Sequence, residues 1–340
     1  MIFKHILMCR PKYFDVIHYK LNSHMLMKEK VNKLTAFTQW KNLRNKINNC
    51  DVNISFIKPK RGLVDMVFAA NGGLVYKNKA IVSRFNAIPR MPESLEYFKF
   101  FTNKGYNTHV ATYDFEGAGD GLFSHNKKHL WLGYGFRTHK EAHYEVDDIL
   151  NDNDLEIHSL QLVDPLWYHL DTCVCPIGYN DLILYEKAFT KESLYKIYDV
   201  YGEEHCIKLN DEDAINFACN SISLANKNST ISTILGNKFS EELKRKLVDF
   251  NYSIIENDMS EFLLSGGSTK CCVLDIEKQY KIDNISHKIN YNNDYNYYNN
   301  NYNINYNYSK KKNPEFRYLV YNNDKEDKDY IVGNNMMIYG

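Results

Sequence analysis

A helix-then-strand pattern that returns at intervals of roughly 50 residues constrains this chain more than any other feature. Five stretches carry apolar side chains at helical spacing, near 30–48, 93–104, 139–150, 191–201 and 241–250. In the first, Val31, Leu34, Phe37, Trp40, Leu43 and Ile47 fall on one stripe. Start and stop residues bound the others: Pro92 and Gly105, Thr138 with Glu141 at capping-box spacing, Thr190 and Gly202, and Ser240. A short β-like run follows each helix, at 52–57, 107–112, 155–160, 206–209 and 253–256. Further short runs at 80–85, 129–133 and 182–185 precede the next helix. A lone amphipathic helix cannot bury its stripe, so the units must pack around a shared centre. The pattern predicts an α/β fold of repeated strand-strand-helix-strand units. Five units closing in a ring would make a five-bladed α/β propeller; an ordinary open α/β sheet alternates strands and helices too.

The repeat pattern ends before the chain does. Residues 1–280 form the expected catalytic domain. Residues 281–313 are dominated by Asn and Tyr and end in a Lys run, a composition that cannot bury a core and predicts disorder. Residues 314–340 hold one β-like run, 316–321, with no assignable role. The 340 residues carry 42 basic and 42 acidic side chains, so no global field draws nucleic acid or an acidic membrane. No run approaches the roughly 18 apolar residues that span a bilayer, and the N-terminus lacks a signal-peptide pattern. The expectation is a cytoplasmic protein with no nucleic-acid or membrane partner, with a homo-oligomer left open. Eight scattered cysteines do not resemble a secreted disulfide scaffold, and Cys173-x-Cys175 and Cys271-Cys272 lack the C-x-x-C spacing of structural zinc.

The unusual polar residues fall at equivalent places in the repeat, after the strand that follows each helix. These are DMVFAANGG at 65–73, FEGAGD at 115–120, YHLDTC at 168–173, NFACN at 216–220 and SGGSTKC at 265–271. In a closed ring such loops meet near the axis, bringing several carboxylates, one His and one Cys to a single pocket. Convergent Cys, His and carboxylates suit nucleophilic catalysis with an acid–base partner. The carboxylates suit a cationic substrate and would raise the thiol pKa in the empty site. Taken singly, each of these residues is more often structural: a buried Cys, a core His, a turn-capping carboxylate.

At these clusters the chain resembles the guanidino-group-modifying enzymes, the pentein superfamily. The resemblance covers roughly residues 5–276 and includes CRPKYFDV at 9–16, LWLGYGFR at 130–137 and the FACN stretch. Its nearest pattern is that of arginine dihydrolases and dimethylargininase-like hydrolases. The resemblance implies the five-bladed ring, Cys271 as nucleophile, His169 as general acid and base, and Glu116 as the carboxylate orienting it. It implies Asp171 and Asp65 as guanidinium-side carboxylates, and Arg90 and Arg137 as a clamp for the substrate α-carboxylate. Asp120, in the FEG-x-GD motif, is grouped with the substrate side. Asn22 resembles the asparagine of N-P-W-M, which here reads Asn22-Ser23-His24-Met25 with one extra residue upstream. Asn71 stands where deiminases and dimethylargininases tend to carry a carboxylate and dihydrolase-like members carry Asn. An amide can donate to a urea oxygen as well as accept, which matches it to a neutral ureido intermediate.

The resemblance implies hydrolysis of a small-molecule substrate, arginine, through a covalent cysteine–amidino intermediate, giving ornithine by dihydrolysis or citrulline by deimination. No metal and no organic cofactor is required. The alternatives are dimethylarginine hydrolysis to citrulline and dimethylamine, amidino transfer, and a non-catalytic protein resembling a ribosome anti-association factor.

Overall fold

The computed structural model describes residues 3–17, 30–50, 52–226 and 229–276; Asn22 and the expected segments 281–313 and 314–340 lie outside the described residues. The described strands are β1 (His5–Cys9), β2 (Asn53–Ile57), β3 (Gly73–Tyr76), β4 (Lys79–Val82), β5 (Asn107–Val110), β6 (Gly121–Phe123), β7 (His129–Tyr134) and β8 (Glu156–Gln161). They continue with β9 (Val174–Ile177), β10 (Asp181–Leu184), β11 (Cys206–Lys208), β12 (Ile222–Asn226), β13 (Ser229–Gly236), β14 (Ser253–Glu256) and β15 (Leu274–Asp275). The helices are α1 (Lys33–Asn48), α2 (Glu93–Asn103), α3 (Glu141–Leu150), α4 (Lys191–Tyr201), α5 (Asp211–Ile215), α6 (Glu241–Asp249) and α7 (Ser260–Leu263).

The strands form five three-stranded sheets, none closed on itself: β15-β1-β2, β3-β4-β5, β6-β7-β8, β9-β10-β11 and β12-β13-β14. Each has the same plan. A short antiparallel pair is followed by a helix, and the strand after the helix returns parallel to the middle strand. The first sheet departs in one respect, because its antiparallel partner is β15 from the far end of the described chain, with Ile6 opposite Asp275 and Leu7 opposite Leu274. Short apolar strands buried on both faces, such as Leu74–Tyr76 and Leu182–Leu184, supply a core that needs a helix on one side.

The five expected helices, α1 to α4 and α6, lie within three residues of their expected bounds at each end, whereas the short α5 and α7 were not expected. Thr190 and Ser240 cap α4 and α6, accepting from the amides of Ser193 and Leu243. Two readings need correction. The buried face of α1 is Ala36, Gln39, Trp40, Leu43 and Ile47, whereas Leu34 and Phe37 are exposed. A period of 3.6 counted back from Trp40 selects Ala36 rather than Phe37. Gln39 joins that face because its amide donates to Asp258 and Ser260 and accepts from the Glu261 amide at the start of α7. Thr138 does not cap α3, whose first flanking residue is Lys140. Its hydroxyl instead donates to Asp120 Oδ2 at 2.7 Å and accepts from the Glu116 amide at 3.1 Å.

The polar clusters are the turns that enter the antiparallel pairs. Single 3-10 turns at Ala69–Gly72, Gly117–Gly119 and Leu170–Thr172 immediately precede β3, β6 and β9. Residues 216–221 and 265–273 hold the equivalent places before β12 and β15.

Candidate functional site

Hydrogen bonds stitch the five turns to one another. The Ala70 amide donates to the Cys271 carbonyl at 3.0 Å, and the Lys270 amide donates to the Asn220 carbonyl at 3.1 Å. Lys270 Nζ donates to the Ala118 carbonyl at 3.0 Å. The Leu170 amide donates to Asp120 Oδ1 at 3.0 Å, and Asn220 Nδ2 donates to the Asp171 carbonyl at 3.1 Å. Close backbone approach at two positions requires glycine. Gly117 sits at φ 58, where a Cβ would fall 2.6 Å from the Gly73 carbonyl oxygen. At Gly119 a Cβ would fall 2.2 Å from Asn71 Nδ2 and 3.5 Å from His169 Cγ, so this glycine lets Asn71 and His169 share one place.

Two linked groups occupy the centre. Cys271 Sγ lies 3.6 Å from Asp171 Oδ2 and 3.1 Å from Asn220 Nδ2, and the Cys271 amide donates to Asn220 Oδ1 at 3.1 Å. Two residues before Asp171, His169 Nε2 meets Glu116 Oε2 at 2.7 Å. Glu116 in turn accepts from Arg137 Nη1 through both oxygens, at 3.1 and 3.0 Å. Arg137 lies over the Tyr168 ring, 4.6 Å from its centre. Cys271, His169, Asp171, Glu116, Asp120 and Arg137 are all buried. Charges enclosed in this way act on one another far more strongly than they would in water.

Burial sets the protonation states as much as pairing does. It would raise the Glu116 carboxyl, but Arg137 and then His169 overcome it and hold the group well below the usual carboxylate range. Burial raises Asp120 to about 6 against the opposing pull of His169 and the Thr138 hydroxyl. It also raises Asp171, with Lys270 and His169 opposing. The Cys271 thiol is pushed well up, first by burial and then by the Asp171 charge. Both causes favour the protonated thiol, and a cation beside Asp171 would offset the second of them.

The remaining predicted residues sit nearby. Asn71 Oδ1 accepts from Arg90 Nη1 at 2.8 Å, which fixes the amide orientation because arginine can only donate. Its Nδ2 then faces the Glu116 carbonyl at 3.5 Å. Asp65 is buried but reaches this cluster indirectly, accepting from Ser265 Oγ at 3.1 Å and lending its carbonyl to Arg90 at 3.2 Å. Arg90 and Arg137, expected to clamp a substrate carboxylate, are each engaged by a protein acid here. Arg90 makes a two-point pair with Glu93, at 3.0 and 2.8 Å, and Arg137 holds Glu116.

Sequence reasoning missed Asn220 and Lys270 as site residues, although both lie in motifs it singled out, NFACN and SGGSTKC. Asn is neither a nucleophile nor an acid, and the Ala118 carbonyl that Lys270 Nζ meets is brought near only by the fold, so pattern alone gave neither a role. Asn220 is the sole described side chain donating a hydrogen bond to Cys271 Sγ. A hydrogen bond to a charged group is worth about 1.5–3 kcal/mol. Asn220→Ala is therefore expected to lower kcat/KM about tenfold to 150-fold. It should also move the acid limb of the pH profile to higher pH, because the thiolate loses a donor. A profile that keeps its acid limb in place would reduce Asn220 to a purely structural part.

The described turns thus bring together a buried thiol, an imidazole paired with a carboxylate, and further carboxylates. Comparison with known proteins places the chain in a family. The chain belongs to the dimethylarginine dimethylaminohydrolase family: the family described as "N,N dimethylarginine dimethylhydrolase, eukaryotic" matches residues 12–278. The bifunctional arginine dihydrolase/ornithine cyclodeaminase ArgZ of Synechocystis is 37% identical over 79% of this chain and 37% of its own length. The chain thus spans little more than a third of that relative. The N(G),N(G)-dimethylarginine dimethylaminohydrolase of Mycobacterium tuberculosis is 30% identical over 78% of this chain and 84% of its own. Among solved structures, the N-terminal domain of ArgZ, as a Cys-to-Ser mutant bound to substrate, superposes with a TM-score of 0.74 at 36% identity. That match covers 81% of this chain and 98% of the domain.

Proposed function

We propose that this chain hydrolyses arginine to ornithine, ammonia and carbon dioxide, with Cys271 as nucleophile, His169 as general acid and base, and Glu116 as the carboxylate that orients His169. The contact that carries this reading is Cys271 Sγ beside Asp171 Oδ2, with the Glu116–His169 pair on the adjoining turn. The guanidinium lies against Asp171, and its charge helps the thiol pass its proton to His169. The thiolate forms a bond to the guanidinium carbon. The C–N bond to a terminal nitrogen breaks as His169 returns the proton, and ammonia leaves. Water, deprotonated by His169, attacks the amidino thioether and expels the thiolate, giving citrulline. A second round on the ureido carbon consumes another water. It releases a second ammonia and, through carbamate, carbon dioxide.

Asn71 supports the second round. With its oxygen held by Arg90, its N–H faces a carbonyl oxygen. An aspartate there would set oxygen against oxygen and add a charge beside Glu116. Arg90 and Arg137 then act first on Asn71 and Glu116, and a substrate carboxylate would share their donors. Asp65 and Asp120 hold the surrounding turns. The identical plan of the five sheets and the closure of the first by β15 support five blades of one ring, the pentein arrangement.

The family match and the 30% identical relative favour a second reading, dimethylarginine hydrolysis to citrulline and dimethylamine. Incubation of the whole chain with each substrate separates the two. Ornithine and ammonia from arginine are expected. Dimethylamine from dimethylarginine, with arginine untouched, would replace the first reading by the second.

A further inference from the structure

We propose that His129, Glu156 and His158 form a binding site for a late first-row divalent cation, zinc in kind, separate from the catalytic turns. His129 of β7 and Glu156 of β8 are register partners on parallel strands. His158 follows Glu156 by two residues and so projects from the same face. The three ligand atoms converge: His129 Nδ1 lies 3.1 Å from His158 Nε2 and 3.3 Å from Glu156 Oε2, and His158 Nε2 lies 3.9 Å from that oxygen. Bonds of about 2.0–2.1 Å to a tetrahedral ion place neighbouring ligand atoms about 3.3–3.4 Å apart. The triangle is therefore close to one face of such a tetrahedron. Without an ion, the 3.1 Å separation serves as a ring-to-ring hydrogen bond that keeps the two nitrogens aimed at each other.

Support around the ligands fits a built site. His158 stacks on Trp131 with ring centres 4.3 Å apart and planes 21° apart, which fixes its orientation. The His129 and His158 side chains are 22% and 17% exposed and that of Glu156 is 69% exposed. The protein thus supplies three ligands and leaves the outer position to water. Two imidazoles and one carboxylate suit zinc, cobalt or nickel over magnesium or calcium, which prefer all-oxygen sets. From α4, Lys196 and Asp199 act on His158 with opposite signs, so neither decides the outcome. An ion here would tie β7 to β8 at their starts. The chain leaving the ends of these strands carries Arg137 and Thr138 on one side and His169 to Asp171 on the other.

Cobalt(II) is the probe, added to the whole chain after chelator treatment. Expected are visible d–d bands of a tetrahedral ion without a thiolate charge-transfer band, displacement by zinc, and a raised unfolding temperature. Glu156→Gln alters an exposed group, and His158→Phe keeps the stack on Trp131, so both variants should fold. Each is expected to weaken cobalt affinity about tenfold or more, since even outer-shell changes cost 10- to 100-fold. Turnover of the metal-free enzyme should be unchanged. Equal affinity in the three proteins, absence of binding, or a spectrum dominated by thiolate ligation from the cysteines would overturn the proposal.

Discussion

Cys271→Ser is expected to yield a folded protein whose turnover of arginine falls on the order of ten-thousand-fold or more, as when other covalent hydrolases lose their nucleophile. The reason lies in how hard this site makes ionisation. Burial and the Asp171 charge already push the thiol up, and in the proposed mechanism the cationic substrate offsets that charge. A hydroxyl starts several units higher, so the same cation cannot ionise it. Folding should survive, because serine keeps the shape and the two backbone bonds, from Cys271 to Asn220 and from Ala70 to Cys271. Substrate binding should survive as well, since the carboxylates that face the cation are untouched. Turnover, arginine affinity and mass spectrometry of the quenched wild-type enzyme would be measured together. Turnover within tenfold of wild type, or a wild-type protein never carrying an amidino adduct, would remove the covalent mechanism.

What the sequence made legible, and what it hid, follows a physical line. The five helices were readable because each spans three turns or so and exposes one polar face, so the 3.6-residue period repeats within the element. The strands that open each antiparallel pair were not. Gly121–Phe123 and Gly73–Tyr76 are short and buried on both faces, so they show no alternation. The pairing of β1 with β15 joins residues far apart in the chain, which no local signal records. At the site, the glycine-flanked motifs were legible because chemistry and close approach both restrict residue type. Partner choice was not. Arg137 pairs with Glu116, 21 residues away, because a buried carboxylate beside a histidine needs a counter-charge from its own chain. Thr138 reads as a helix cap and serves Asp120 and Glu116 instead.

That pairing underlies the second large effect, Glu116→Gln. The amide keeps the volume and can still accept a hydrogen bond, but it removes the charge that Arg137 and His169 share. Breaking a buried ion pair by neutralising one partner costs about 3–5 kcal/mol. Turnover should fall about 100- to 10,000-fold as well, the usual range for losing acid–base function, because His169 loses the carboxylate that orients it. The stability loss has a pH signature. Glu116 titrates below its unfolded value, so its ionised form stabilises the fold above the ordinary carboxylate range. That contribution disappears as pH falls through the depressed value. The stability gap between wild type and Glu116→Gln should therefore be widest near neutral pH and shrink on acidification. Asp120 runs in the opposite direction, being raised to about 6, but both proteins carry it and its main effect subtracts out. Denaturant unfolding of the pair across a pH series measures the gap directly. A gap that stays constant into the acid range would mean that Glu116 contributes shape rather than charge, and the account of its pairing with Arg137 would fall with it.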